Sequence, residues 1–382
     1  MKDGSRMKIG YFIRSYVLED RFGKPAVSGG VKIVSQHVKI LNEMGYETFL
    51  ITKKVQTQLS LAELNLYGKP TVVKTDDDIP DCDVYIGAMY TDVKMLFQRG
   101  KGKIVHLCEG YEPIDYLSRI KGEVVPEKYS RKGILSVFDR YFNLLKFKKR
   151  VKAIESIYAL PTVKAAISKH LVELIERRFH QKCFLIQSGI DSNVFYPNEE
   201  RIWGGGGRIR VLSVGPTSVG FKGIPDALEA IRMLKARGVN VEFTRVSTHP
   251  PLEREEVGKV VDRYHINLRE GEMAEIYRNT DIFISSSLEG EGLGLPALEA
   301  LASGVPSILT EISSYKNFGT QRDFAYFVPT HRPDRIAEGI LALIEDRNLR
   351  ERCRERGISV SKEFTLERTK KDLLDFVKEL AG

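Results

Sequence analysis

The sequence predicts an α/β fold made of two domains, each a parallel sheet covered by helices. Short apolar strands alternate with helical stretches along both halves of the chain, as expected for such sheets. The alternation is interrupted at 196–208, where a proline, a charged stretch and four consecutive glycines are typical of a linker. A chain of 382 residues is also long enough for two domains with full cores.

The first half contains six predicted strands, at 8–14, 48–52, 83–88, 103–109, 163–168 and 183–188. Between the first two, Val31, Val34, Val38 and Leu41 recur at helical spacing and predict an amphipathic crossover helix. Buried apolar strands joined by helices favour a parallel sheet with both faces covered.

The pattern restarts after the linker. Five strands are predicted there, at 209–215, 241–247, 281–287, 305–310 and 324–329. Helices are predicted at 225–238 and 272–280, from Pro296, from Pro333, and near the C-terminus. Open parallel sheets bind ligands at the carboxyl ends of their strands, so the cleft between the two domains is the expected site.

Composition narrows the class of protein. Hydrophobic residues make up 42% and charged residues 29% of the chain, as in soluble globular proteins, and no apolar run approaches the roughly 20 residues of a membrane span. The four cysteines form no C-x-x-C pair, so neither a disulfide framework nor a metal site is expected. The N-terminus lacks the features of a signal peptide, which makes the cytoplasm the expected location.

The net charge of +8 suits an anionic partner, which could be a nucleotide, a phosphate or a lipid surface. Nucleic acid is not expected, because no recognised nucleic-acid-binding module accompanies the charge.

The stretch 285–304, SSSLEGEGLGLPALEALASG, carries glutamates on both sides of a glycine-rich turn of the kind that usually holds phosphate, which is itself negative. Gly292 and Gly294 precede a helix that Pro296 begins, so backbone amides there can donate to a diphosphate. Glu291 before this helix and Glu299 on it would then accept hydrogen bonds from sugar hydroxyls. A ligand with hydroxyls on both sides of a diphosphate is a nucleotide-diphosphate sugar.

An alternative is a dinucleotide-binding fingerprint, which Gly292, Gly294 and Ala297 match. The motif comes late in the chain and the helix after it is short for a dinucleotide-binding crossover. Glu289 and Glu291 also lie where a pyrophosphate needs neutral donors. An NAD-dependent enzyme is therefore the less favoured interpretation.

The segment EGLGLPALEALASGVPSI resembles the Glu-x7-Glu element of glycosyltransferase family 4, whose members have the GT-B fold and retain anomeric configuration. Segments along nearly the whole chain match in order; these are SGGVKIVSQHVKILNEMGYETFLIT, KIVHLCE, VKAAISKHLVELI, IQSGIDSNVFYP and VLSVGPTSVGFKG. The resemblance implies two Rossmann-like domains facing each other across a cleft. Residues 1–200 would form the acceptor domain, 201–364 the donor domain, and the helix 365–382 would cross back to the first domain.

The resemblance implies a retaining, metal-independent hexosyltransferase without a cofactor. It would move a sugar from a UDP- or GDP-linked donor to a hydroxyl of a glycan or lipid-linked acceptor, in cell-envelope polysaccharide or glycoconjugate synthesis. Catalytic roles fall on His106 and Glu291. The implied donor-binding residues are Gly29, Gly30, Gly189, Lys222, Gly292, Gly294, Leu295 and Glu299.

One position departs from the family pattern. An arginine usually follows the glycine after the first strand of the donor domain, and here Pro216 follows Gly215. Arg245 or Arg14 could supply the missing cation. The departure also favours a rival function, a non-catalytic sugar-nucleotide-binding subunit with the same fold.

The segment 133–158 is a predicted helix with the basic cluster Lys146, Lys148, Lys149 and Arg150. It is either a core helix of the first domain with a solvated basic face or a membrane-surface helix suited to a lipid-linked acceptor. The second interpretation would place the protein at the inner face of the cell membrane.

Overall fold

Two parallel sheets, each flanked by helices, organise the protein. The computed structural model describes residues 7–19, 25–26, 28–55, 70–121 and 134–381. The strands of the first sheet all precede residue 186 and those of the second all follow residue 208, so they fall on either side of the predicted linker.

The first sheet has the strand order β4-β3-β1-β5-β6-β7-β8, with every neighbouring pair parallel, and β2 adds to β1 antiparallel. Its strands are β1 (Lys8–Glu19), β2 (Pro25–Ala26), β3 (Glu47–Val55), β4 (Thr71–Val72), β5 (Val84–Gly87), β6 (Lys103–Cys108), β7 (Val163–Ala166) and β8 (Cys183–Leu185). The order reverses between β1 and β5, which is where such sheets open a ligand-binding crevice.

Helices cover this sheet, and apolar spacing determines which side each one buries. They are α1 (Gly29–Glu43), α2 (Tyr90–Arg99), α3 (Ile114–Lys121), α4 (Ile134–Tyr158) and α5 (Lys169–Phe179). In α1 the predicted stripe of Val31, Val34, Val38 and Leu41 is buried, and the Ser28 hydroxyl caps the first turn by accepting from the Val31 amide at 3.2 Å.

The second sheet is wholly parallel in the order β11-β10-β9-β12-β13-β14. Its strands are β9 (Ile209–Val214), β10 (Val241–Ser247), β11 (Arg263–Ile266), β12 (Ile282–Ser285), β13 (Ser307–Thr310) and β14 (Tyr326–Val328). Its helices are α6 (Ile224–Ala236), α7 (Glu270–Arg278), α8 (Leu295–Ala302), α9 (Ser313–Lys316), α10 (Pro333–Glu345) and α11 (Arg347–Ser361). The crevice of this sheet lies between β9 and β12.

Every strand predicted from apolar runs is present, and three short strands were missed. The missed strands are β2, β4 and β11, which are two to four residues long, and β11 is only partly buried. The predicted charged helix from Pro333 is two helices, because the chain leaves helical geometry at Asp346, whose side chain caps α11 through the Leu349 amide at 3.0 Å.

The last helix, α12 (Leu366–Ala381), returns to the first domain as predicted. Its buried Leu373 and Phe376 share one apolar cluster with Val34 and Val38 of α1. At the crossing, the Thr369 hydroxyl donates to the Gln187 carbonyl at 2.8 Å, and the Ile190 amide donates to the Phe364 carbonyl at 3.0 Å.

Helix α4 is a core helix in its second half. Val151, Ile154 and Tyr158 are buried, whereas the basic cluster at 146–150 is exposed. This arrangement matches the core-helix alternative over residues 151–158. Across the described ranges, no helix has both the length and the apolar character that crossing a bilayer requires.

Replacing Leu373 with alanine tests how far α12 stabilises the first domain. The side chain is 0% exposed, so the cavity left by Leu373→Ala is expected to lower the free energy of unfolding by about 2–5 kcal/mol. Urea denaturation measures the change. Lys371→Ala, on the exposed face of the same helix, is the control and should change stability by less than about 0.5 kcal/mol. Equal effects of the two substitutions would contradict a packing role for α12.

Candidate active site

The site lies where the loop after β12 meets the first domain. We call residues 286–294 the donor loop. The Ser168 hydroxyl, at the start of α5, donates to the Gly292 carbonyl at 2.9 Å. A Cβ atom on Gly292 would overlap the carbonyl group of Glu109, just after β6. Glycine at 292 therefore lets the two domains come together backbone to backbone.

Two of the predicted residues form an ion pair between this loop and the turn after β9. The Lys222 ammonium donates to Oε2 of Glu291 at 2.7 Å, and the Ser287 hydroxyl donates to the same oxygen at 2.9 Å. The two charged side chains are only 17% and 8% exposed. Their position at the edge of the cleft places a cation and a carboxylate side by side where a charged ligand would enter.

Backbone geometry fixes the lysine. Lys222 ends a single turn of 3-10 helix at Gly220–Lys222, and Gly223 follows with φ +60°. A Cβ on Gly223 would overlap the Ser286 carbonyl, so this turn is pressed against the donor loop. Gly215, with φ +130°, leaves room for the stem of Lys222, whose Cδ would lie 3.2 Å from a Cβ there.

Helix α8 begins directly after the donor loop. Gly294 precedes its first turn with φ +89°, and a side chain there would overlap the ring of Tyr315. Leu295 is the first residue of the helix, and Pro296 follows it. Glu299, one turn further on, accepts from the Tyr277 hydroxyl at 2.9 Å. Burial raises the pKa of Glu299, and Lys32 of the first domain and Lys222 oppose this shift.

The two glycines predicted at the start of α1 differ in their surroundings. A Cβ on Gly30 would overlap Oε2 of Glu109 and lie 2.9 Å from its Cδ, whereas a Cβ on Gly29 would meet nothing within 4 Å. Of these two glycines, only Gly30 is therefore in close contact with Glu109.

The structure does not bring His106 to the cleft. Its ring is fully buried, 4.4 Å from the ring of Tyr158, and neither ring nitrogen has a hydrogen-bond partner. Burial lowers the pKa of His106 to about 3, helped by Lys164, so the ring is neutral. The catalytic role predicted for His106 stays a prediction without support from this geometry, because a fully buried ring cannot touch a ligand in the cleft.

Gly189 and Arg245 also lie outside the ligand-facing surface. A Cβ on Gly189 would overlap the carbonyl of Thr365, so this glycine serves the crossing of the chain into α12. Arg245 is 0% exposed; its guanidinium donates to the carbonyls of Ser213 at 2.7 Å and Gly215 at 2.5 Å and pairs with Glu255 at 3.3 Å. The suggestion that Arg245 replaces the cation missing at Pro216 is therefore wrong.

Arg14, the other suggested substitute, is accessible. Its side chain is 54% exposed and pairs with Asp92 at 3.5 Å. A partner on its own domain already holds this guanidinium, which leaves Lys222 as the cation in direct contact with the donor loop's carboxylate.

Sequence reasoning missed Glu109. Its carboxyl group lies against Gly30 and its carbonyl against Gly292, so it borders both glycine segments of the cleft. Burial raises the pKa of Glu109 to about 8, with a smaller contribution from Glu112. Nothing in the local sequence signals this position, because the three segments involved are brought together only by the fold.

A cavity of about 360 Å³ opens beside Glu291 between the two domains. Its polar lining includes Tyr111, His170, Arg177, Glu289, Glu291 and Lys316. The His170 ring lies 3.1 Å from the Ser168 hydroxyl, and burial lowers its pKa to about 4 against the opposing effect of Glu291. In the described residues, no group of three or more His, Cys, Asp or Glu side chains could hold a metal ion.

Comparison with known proteins points to one class of enzyme. The family described as Glycosyl transferases group 1 matches residues 256–360, which include the donor loop and α8. An MMP alpha-(1->4)-mannosyltransferase of Mycolicibacterium hassiacum is 27% identical over 195 residues, 49% of this chain and 44% of the relative. A phosphatidyl-myo-inositol mannosyltransferase of Mycolicibacterium smegmatis is 27% identical over 41% of this chain and 39% of its own. The chain thus spans less than half the length of these relatives.

Solved structures match almost the whole chain. A sucrose-phosphate synthase from Thermosynechococcus elongatus superimposes with a TM-score of 0.72 at 16% identity, over 98% of this chain and 99% of the other. Anabaena HepE in complex with UDP-glucose gives 0.68 at 11% identity, over 98% and 100%. At such identities the likeness concerns the fold, which is the GT-B fold predicted from the sequence.

Adding one methyl group at Gly292 tests the close approach of the domains. In Gly292→Ala the new Cβ would overlap the Glu109 carbonyl, so the donor loop is expected to move away and lose its hydrogen bond to Ser168. Hydrogen–deuterium exchange should then accelerate in residues 107–112 and 288–294. Gly110→Ala is the matched control, because a Cβ there meets nothing within 4 Å. Unchanged exchange in Gly292→Ala would mean that the domains do not touch here in solution.

Proposed function

We propose that the protein is a glycosyltransferase that moves a sugar from a nucleotide-diphosphate sugar to a hydroxyl group of an acceptor. The observation that carries this proposal is the largely buried pair of Lys222 with Glu291, whose carboxylate stands in a glycine-rich loop directly before α8. A lysine and free helix amides suit a diphosphate, and the adjoining carboxylate suits sugar hydroxyls. The family match over residues 256–360 supports the same activity.

In this proposal the donor diphosphate lies at the start of α8. The amides near Gly292, Gly294 and Leu295 would donate to its oxygens, aided by the positive end of the helix dipole. Lys222 would turn from Glu291 towards the phosphate as negative charge develops on the leaving group. Cationic and amide donors would thereby take the place of a metal ion, and no cofactor would be needed.

The nucleoside would occupy the side of α8 that carries Glu299. Its carboxylate, held by the Tyr277 hydroxyl, would accept hydrogen bonds from the ribose. UDP and GDP would both fit this arrangement, since Glu299, Lys222 and the loop amides would contact only the sugars and phosphates. The UDP-glucose bound to the structurally similar HepE favours a uridine nucleotide.

Glu291 would orient the donor sugar. With its Oε2 held by Lys222 and Ser287, the carboxylate can offset positive charge on the anomeric carbon as the bond to phosphate breaks. The acceptor hydroxyl would attack from the face that the diphosphate leaves and give its proton to a phosphate oxygen. Such a path would retain anomeric configuration.

The cavity beside Glu291 would hold the acceptor. It is lined by residues of both domains. We propose a glycan or lipid-linked acceptor, used in cell-envelope polysaccharide or glycoconjugate synthesis on the cytoplasmic side of a membrane. The exposed basic residues 146–150 of α4, together with the 45% exposed Leu145, would provide a peripheral membrane contact.

A non-catalytic sugar-nucleotide-binding subunit is the second candidate. Pro216 removes one phosphate-binding cation of the family pattern, and the burial of Arg245 rules out its substitution from that position. This candidate predicts donor binding without turnover, so binding and hydrolysis are tested separately.

Titration calorimetry tests the donor site. The protein without added metal is titrated with UDP, GDP and their common sugar conjugates, and with NAD. One sugar nucleotide is expected to bind, and Glu299→Ala should weaken it about 10- to 100-fold through loss of charge-assisted hydrogen bonds to the ribose. Glu275→Ala, an exposed glutamate on α7, should leave the affinity unchanged. Binding of NAD alone, or equal effects of the two substitutions, would refute the site.

Slow donor hydrolysis without acceptor tests catalysis. Glu291→Gln should reduce the hydrolysis rate about 100-fold or more, because the charge that stabilises the transition state is removed. Glu289→Gln is the matched control on the same loop; Glu289 accepts from the Ser313 amide and should matter only a few-fold in the absence of an acceptor. Tight donor binding with no hydrolysis that depends on Glu291 would favour the non-catalytic subunit.

A further inference from the structure

We propose that Glu109 binds the donor as an uncharged carboxylic acid, so that ionisation of this one side chain switches donor binding off. The inference rests on the proposed function and adds to it a residue and a dependence on pH. It follows from the position of the side chain, its missing hydrogen-bond partner and the charges around it.

Glu109 lies where the two glycine segments of the cleft meet. Its carboxyl group lies against Gly30 at the start of α1, and its carbonyl lies against Gly292 in the donor loop. Each domain thus presents a glycine segment to this one residue, at the place where both segments approach the proposed diphosphate. A ligand held between the two segments must pass next to the Glu109 carboxyl group.

One oxygen of the Glu109 carboxyl group has no hydrogen-bond partner. Oε1 of Glu109 is buried and has no hydrogen-bond partner. The first turn of α1 is capped by Ser28, so the helix does not depend on Glu109 for a cap. The nearby Glu112, in contrast, accepts from the Tyr90 amide at 3.0 Å and from the Tyr158 hydroxyl at 3.4 Å. A buried polar atom without a partner calls for a specific explanation. Here the atom belongs to the residue that borders both glycine segments, where a ligand group can supply the partner.

The surroundings of Glu109 disfavour its ionised form. Burial raises the pKa of Glu109 to about 8, and Glu112 adds to the effect. The Tyr11 hydroxyl of β1 and the Cys108 thiol of β6 also interact with it, and both have raised pKa values of their own. No lysine or arginine of the described residues contributes to the pKa of Glu109. At neutral pH the group is therefore protonated.

The protonated form suits an anionic ligand. A carboxylic acid carries one O–H donor and can give a hydrogen bond to a phosphate or sugar oxygen. The ionised form has only acceptors and would set a negative charge beside the diphosphate. Donor affinity should consequently be constant below a pH of about 8 and fall about tenfold per pH unit above it, since each unit there removes nine-tenths of the protonated form.

The experiment is calorimetric titration with UDP-glucose and with GDP-mannose between about pH 6.5 and 9, on the wild type and three variants. Glu109→Gln keeps a hydrogen-bond donor and cannot ionise, so it should bind within about threefold of wild type at neutral pH and show no decline above pH 8. Comparison at each pH cancels any titration of the nucleotide base.

Two further variants keep the test decisive. Glu112→Gln removes a partly buried carboxyl group outside the glycine contacts; it should keep the decline but move it to lower pH, because Glu112 raises the pKa of Glu109. Glu109→Ser cannot ionise either, keeps an O–H donor and should show no decline above pH 8, so it replaces the glutamine variant if that variant fails to fold.

The outcomes separate two failures. If the wild type binds no sugar nucleotide, the proposed function is wrong and the inference fails with it. If the wild type binds but Glu109→Gln declines in parallel, or loses binding at neutral pH, the donor site stands and the role of Glu109 as a neutral acid is overturned.

Discussion

The cleft depends on a contact between two backbones that leaves no room for a side chain. Gly292 of the donor loop and the carbonyl of Glu109 approach so closely that a single methyl group would separate them. Gly223 is constrained in the same way, because a Cβ atom there would overlap the Ser286 carbonyl. These contacts fix the path of the donor loop, and the loop in turn fixes Glu291 and the first turn of α8.

The path of the donor loop determines which charged side chains lie close together in the cleft. The loop places Glu291 against Lys222 and away from bulk water, and a buried pair of this kind is stable only while each charge keeps a partner. An arriving diphosphate can compete for the lysine, but the Ser287 hydroxyl still serves the same carboxylate oxygen. In the proposed mechanism the ion pair would hold the Lys222 ammonium in position until a phosphate binds.

Prediction from the sequence succeeded where local pattern determines structure. The stripe of Val31, Val34, Val38 and Leu41 identified α1, and the glycine-rich run before Pro296 identified the start of α8. Local pattern does not reveal which way a side chain points from its strand. His106 belongs to β6 as predicted, but its ring is buried against Tyr158, and the cleft receives Glu109, which follows the end of the strand. Arg245 likewise forms a buried ion pair with Glu255, and the residues next to Arg245 in its strand do not indicate this pair.

The missing cation at position 216 and the neutral state of Glu109 both affect the net charge of the proposed donor site. With Pro216 in place and Arg245 enclosed in the core, Lys222 is the cation bonded to the donor loop, and it already faces Glu291. An ionised Glu109 would add a second negative charge close to Glu291, with which Lys222 already pairs. Burial of Glu109 removes that charge by holding its proton, and converts a group that would repel phosphate into one that can donate to it. In the proposed donor site a diphosphate would then meet an O–H donor in place of a second carboxylate.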